Sequence, residues 1–246
     1  MTAPFPTRAQ EDWRYADLDA LKPLWAELGE AAALVVAPGE TLDEIWLPTN
    51  DPVQVRRVQL ALGAGASARI FALNAAADYG RIELDVSLAA GADFALYAAN
   101  IGTGTSTNEV VTTVRHLEPD AVSRQTVRSV LGGKATGTYL GKVAVARGAQ
   151  HSDSVQSVKA MLLDRGATAN CKPELEIYAD DVKCAHGASV GELDADQLFY
   201  AMSRGLDPAT ARALLLEGFV MGLWDGIAGD GQGIADAARA ALRRVA

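Results

Sequence analysis

Between residues 45 and 193 short apolar alternations recur, each broken by a small-residue turn, and this rhythm limits the chain to few architectures. Val58-Gln59-Leu60-Ala61-Leu62, Ile82-Glu83-Leu84-Asp85-Val86 and Val143-Ala144-Val145 carry the period of two that marks a strand. Gly65-Ala66, Gly91-Ala92, Gly148-Ala149, Gly166-Ala167 and Gly187-Ala188 mark turns, with Pro119-Asp120-Ala121 in the matching place between them. The gaps of 26, 29, 28, 18 and 21 residues are irregular, but they fall in the range of solenoid coils. A β-sandwich is the competing architecture. It would announce itself with two-residue Asn-Gly or Asp-Gly hairpins, and this region has none. The pattern therefore predicts a mainly β fold, a parallel β-helix over residues 45–193, with helical ends.

The flanks read as helical. Residues 1–44 form an expected N-terminal helical segment, where Leu18, Leu21, Leu24, Trp25 and Leu28 have helical spacing. Pro23 falls inside that run and starts a second short turn. Residues 194–246 form a C-terminal helical domain. Asp194 caps a helix stopped by Gly205, and Asp207-Pro208 opens another that runs to about Trp224. Gly229 to Gly233 reads as a flexible break before a last helix from Ile234 to Val245. In the middle helix the apolar residues cover more than one buried stripe requires, so Leu215, Leu216, Phe219 and Val220 are candidates for docking a partner.

With 31 acidic against 22 basic residues, the net charge of −9 argues against a nucleic-acid partner. The longest apolar run, 214–224, is short and interrupted by Glu217, so no membrane span is expected. Charged residues from Arg8 onward do not resemble a signal peptide, and two cysteines are too few for a disulfide framework. These features predict a soluble, cytoplasmic protein.

Chemistry-bearing residues are sparse. Cys184 and His186 stand two apart and point the same way on a strand, a thiol and an imidazole that could both ligate iron. Val182 shares that face, so a packed cysteine is the competing reading. His116, His151 and Cys171 show no ligand spacing. Asp180-Asp181 beside His186-Gly187 suggests the paired carboxylates of a β-helix carbohydrate-active enzyme, although a turn accounts for them as well. Gly132-Gly133-Lys134 lacks the spacing of a phosphate loop, so any ATP chemistry belongs to a partner.

The stretch 173–188, PELEIYADDVKCAHGA, stands at a fixed distance from 196–205, DQLFYAMSRG, and Glu11 to Tyr15 reads EDWRY. Together they resemble the SufB/SufD family of the SUF iron–sulfur cluster assembly machinery. The resemblance implies a right-handed parallel β-helix, no catalytic residue, and a scaffold role in a SufBCD complex. It implies pairing with a SufB-like subunit through the β-helix and with the SufC ABC-type ATPase through the C-terminal helices, with delivery to apo-proteins. It makes His186, with Cys184 beside it, the candidate ligand for iron or a transient iron–sulfur cluster at the subunit interface; flavin is left open. The reactive cysteine and the glutamate of the SufB branch fall here on Val158 and Gly187, which places the chain with the SufD branch.

Overall fold

The computed structural model describes residues 4–227 and 231–245. Twelve strands wind into six coils, each contributing one strand to each of two parallel sheets. The first sheet takes β1 (Ala32–Val36), β3 (Val53–Leu62), β5 (Tyr79–Leu88), β7 (Thr107–His116), β9 (Thr136–Val145) and β11 (Thr168–Ile177). The second takes β2 (Thr41–Trp46), β4 (Ser67–Asn74), β6 (Asp93–Gly102), β8 (Val122–Leu131), β10 (Asp153–Leu162) and β12 (Lys183–Glu192). This is the expected parallel β-helix. Its first coil begins at Ala32, ahead of the boundary at residue 45, because the alternation there is too short to register as a strand in sequence.

The period of two aims every second side chain into the lumen, and the register stacks equivalent residues from coil to coil. Val86, Val114, Val143 and Leu175 form one such column. Buried alanines Ala66, Ala92, Ala121, Ala149 and Ala179 line the corner from the first sheet to the second. At that corner Gly65, Gly91, Asp120 and His151 take left-handed backbone angles, φ 64°, 64°, 63° and 61°. Two non-glycine residues thus fill the position, which is why a glycine-based reading blurred the repeat. Gly166-Ala167 belongs to the opposite corner, which accounts for the short gaps. Gly187-Ala188 is not a turn at all: both lie inside β12, paired with Ser157 and Val158, and the corner is at Ala179.

The N-terminal segment folds as short turns, a 3-10 turn at Glu11–Trp13, then α1 (Leu18–Leu21) and a second 3-10 turn at Lys22–Leu24 with Pro23 in its first positions. It covers the outer face of the first sheet. The Trp13 ring lies 3.7 Å from the Arg81 guanidinium, which is fully buried and paired with Glu109 at 3.2 Å and Glu83 at 2.9 Å. Burial pushes the Glu109 carboxyl up, while Arg81 and Tyr79 oppose that rise.

The tail comprises α2 (Ala195–Ser203), α3 (Pro208–Met221), a 3-10 turn at Gly222–Trp224, and α4 (Gly231–Leu242). Asp194 and Asp207 cap their helices as expected, each accepting from two backbone amides, and Gly205 at φ 95° ends α2. Gly231, Gln232 and Gly233 belong to the last helix rather than to a break, while Gly229 and Asp230 lie outside the described residues. Leu216, Val220, Trp224, Ile234 and Leu242 pack on Phe71, Leu73, Ala99 and Ile101, on the outer face of the second sheet.

One lumen residue makes stability pH-dependent. His116 Nε2 sits 2.8 Å from Ser123 Oγ, and burial pulls its pKa down to about 4. The unfolded chain, with a pKa near 6.5, takes up the proton first as pH falls. Stability held above about pH 6.5 is therefore lost progressively toward pH 4, a contribution of about 3 kcal/mol. Urea unfolding at pH 7 and at pH 4.5 should show a smaller acid loss for His116→Asn than for wild type; equal losses would show that another group is responsible.

Candidate functional site

The two ends of the solenoid differ. Its first coil tapers, with β1 and β2 only 5 and 6 residues long, whereas β11 and β12 run the full 10. Among the described residues β12 pairs only with β10, and β11 only with β9. The last coil therefore presents a long free edge and an uncovered lumen. Its only charged residues on β12 are Lys183 and Glu192, at the two extremes of the strand.

Cys184 and His186 lie on this edge strand with the same parity, as their spacing predicts. Cys184 stacks on Ser154 and His186 on Gln156. Cys184, Cys171, Leu175 and Val182 pack half-buried against the core. Burial raises the pKa of both thiols, and the Ser154 backbone partly offsets this at Cys184. In this state the thiols are held protonated, so ligation of a metal would release a proton. His186 is exposed: it sits in mid-strand, and among the described residues no further coil covers it.

Among the described residues no three His, Cys, Asp or Glu side chains come together as a metal site. Asp181 belongs to the last corner, where His151 Nε2 approaches it at 3.4 Å and its amide donates to Gln150 Oε1. His151 Nδ1 meets Asp120 one coil earlier at 3.1 Å, so these exposed groups tie successive corners together.

The docking candidates on α3 divide. Leu216 and Val220 are completely buried against the second sheet and cannot meet a partner. Leu215 and Phe219 are half-buried, with Arg128 over the Phe219 ring at 6.0 Å. The helix is apolar nearly all round, and periodicity alone could not tell which side faces the sheet. In the helical tail the exposed large apolar side chains are instead Phe199 (71% exposed), Tyr200 (60%), Met202 and, on the outer side of α3, Leu214 (56%).

The sequence that forms these coils matches a known family. Residues 43–219 match the family model described as SUF system FeS cluster assembly, SufBD core domain. The chain belongs to the SufBD family. Relatives include a Synechocystis iron–sulfur cluster assembly SufBD family protein, 31% identical over 73% of this chain and 40% of that protein. Escherichia coli SufD is 35% identical over 50% of this chain and 30% of its own length. The chloroplastic protein ABCI7 of Arabidopsis thaliana is 42% identical over 41% and 22%. The matched region thus spans less than half the length of these relatives. The SufBD match runs from β2 into α3, so it contains the open coil with Cys184 and His186 and stops before α4.

Sequence reasoning missed the polar pair under the two candidate ligands, Ser154 and Gln156, both buried in the lumen. The signal was present, because Ser123-Arg124-Gln125 precedes Ser154-Val155-Gln156 by 31 residues.

The division of α3 can be tested. Leu216→Asp should destabilise the fold by about 4 kcal/mol or more, because it buries a charge in a packed interface. Leu214→Asp should change stability by no more than about 0.5 kcal/mol. Comparable melting temperatures for the two variants would overturn this assignment.

Proposed function

We propose that the chain is a scaffold subunit for iron–sulfur cluster assembly, pairing through its last coil with a SufB-like subunit. The observation that carries this reading is the full-length, almost uncharged free edge of β12, with Cys184 and His186 lying along it. Isolated edges of this kind are blunted by charges, prolines or short strands, or else they are completed by another chain. Here none of the first three devices interrupts the eight residues between Lys183 and Glu192. A partner strand added to β12 would cover the lumen mouth and bring ligands opposite His186 and Cys184. The iron or cluster is cargo in this scheme, held by ligands from both subunits, with His186 contributing a neutral imidazole. The chain needs no catalytic residue for that role.

A second partner, the SufC ATPase, would dock on the exposed apolar surface of Phe199, Tyr200 and Leu214. This surface replaces the buried face of α3. It lies on α2 and the exposed side of α3, beside the last coil, so nucleotide-driven movement of the ATPase could be transmitted to the subunit interface.

Two experiments test the proposal. Lys183 N–H bonds back to Ser152, so alternation turns the amides of Cys184, His186 and Ala188 to the free edge. Ala188→Pro removes one edge donor without costing a bond to β10. It should weaken binding to the SufB-like partner about tenfold, as one lost hydrogen bond and a steric obstruction imply. Unchanged affinity would place the interface elsewhere. Separately, His186→Ala should leave the complex assembled and its ATPase active while lowering the yield of anaerobically reconstituted cluster; a wild-type yield and Mössbauer spectrum would remove His186 from the ligand set.

A further inference from the structure

The Cys-x-His of the last coil is the top rung of a repeated pattern. Three successive strands of the second sheet carry Ser123-x-Gln125, Ser154-x-Gln156 and Cys184-x-His186. The register stacks Ser123, Ser154 and Cys184 in one column, and Gln125, Gln156 and His186 in the next. Directly beneath Ala188 and Val190 the lumen is apolar, with Val158 and Ala160. Along the lumen face of β10, polar residues thus lie below the two candidate ligands and apolar ones below Ala188 and Val190.

Amides buried in such a lumen must find partners, and the partners set their orientation. Gln125 Oε1 accepts from Thr112 Oγ1 at 2.7 Å and from the Tyr139 hydroxyl at 3.2 Å. With its proton committed to Gln125, Tyr139 accepts from Gln156 Nε2 at 2.9 Å. Gly141 makes room for this: a Cβ there would stand 2.0 Å from the Tyr139 hydroxyl oxygen. The direction of donation therefore holds the Gln156 amino group toward Tyr139. It leaves Gln156 Oε1 buried and without a partner. The next residue in that column is His186, one strand spacing away, about 4.8 Å.

We propose that Gln156 is a positioning residue for His186. Its Oε1 accepts the imidazole N–H, selects one tautomer, and directs the lone pair of the other nitrogen out of the mouth. A neutral imidazole has one donor and one acceptor nitrogen, so satisfying the first frees the second for a metal. Histidine ligands are commonly oriented in this way by a fixed acceptor on the far nitrogen. Thr112, Gln125, Tyr139 and Gln156 thereby act as one chain of hydrogen bonds, anchored in the fourth coil and ending at the sixth. The inference deepens the reading of His186 as an iron ligand and rests on it for its purpose, but its geometry can be tested without iron.

Nitrogen-15 spectra of the imidazole side chains in the full chain at pH 8 provide that test. The chain has three histidines, and His186→Ala identifies the signals of His186. In wild type His186 should show one dominant tautomer, and in Gln156→Leu a mixture. Tyr139→Phe keeps the ring and Gln156 itself but frees the amide to turn, so it should give an intermediate mixture and serves if Gln156→Leu does not fold. An unchanged tautomer ratio in a folded variant would overturn the inference. Titration with ferrous iron under argon then tests the underlying reading. Gln156→Leu should weaken binding about tenfold, and His186→Ala should weaken it further. If His186→Ala binds iron as wild type does while the tautomer still responds to Gln156, the positioning contact stands and the ligand role of His186 falls.

Discussion

Every interior strand of a parallel solenoid divides its backbone hydrogen bonds between the coil before it and the coil after it, so the stack cannot satisfy its own ends. This chain meets that constraint differently at its two ends. At the N-terminal end the coil shrinks, and the strand edges shorten with it. At the C-terminal end the strands keep their full length, and Cys184 and His186 lie on the last of them. The reach of Cys184 and His186 follows from the architecture: among the described residues no later coil stacks on β12.

The same stacking explains how polar groups survive inside. A lone buried amide in an apolar lumen would be costly, but columns allow each to be bonded to the next. His116, Ser123 and Ser154 form one such chain, with Ser123 donating to Ser154 at 2.9 Å. On the outer face the solution is charge pairing, where Arg81 and Glu109 neutralise each other beneath Trp13. Removing either partner there would strand the other, the situation in which buried ions destabilise most. The EDWRY segment accordingly has a packing role, with Trp13 closing over the pair and Glu11 reaching Lys172 at 2.7 Å.

Much of the fold was legible because a solenoid writes its geometry as a repeat. Alternating residues such as Ile82, Leu84 and Val86 gave the strands, and Asp194 and Asp207 gave two helix starts. The failures have identifiable causes. Gly187 read as a turn because glycine usually marks one, yet on an edge strand a residue with nothing within 4 Å of its missing Cβ is under no packing demand. The true corner there lacks glycine. Leu216 and Val220 read as available because their helix is apolar on most sides, and only the position of the second sheet decides which side is buried. The pairing of Gln156 with His186 depends on register, which a local motif does not encode.

The helical tail returns along the side of the solenoid instead of extending from its end. Although α4 is last in the chain, it lies against β2, β4 and β6, and Arg69 of β4 reaches the carbonyl of Gly226. A bare stack of coils would behave as a one-dimensional array, fraying from either end and folding in any order. Here the final residues clamp the earliest coils to the middle ones, which couples segments far apart in sequence into one cooperative unit. The sixth coil lies outside that clamp and is held by its ladders to the fifth coil and by the Lys172–Glu11 pair to the N-terminal segment.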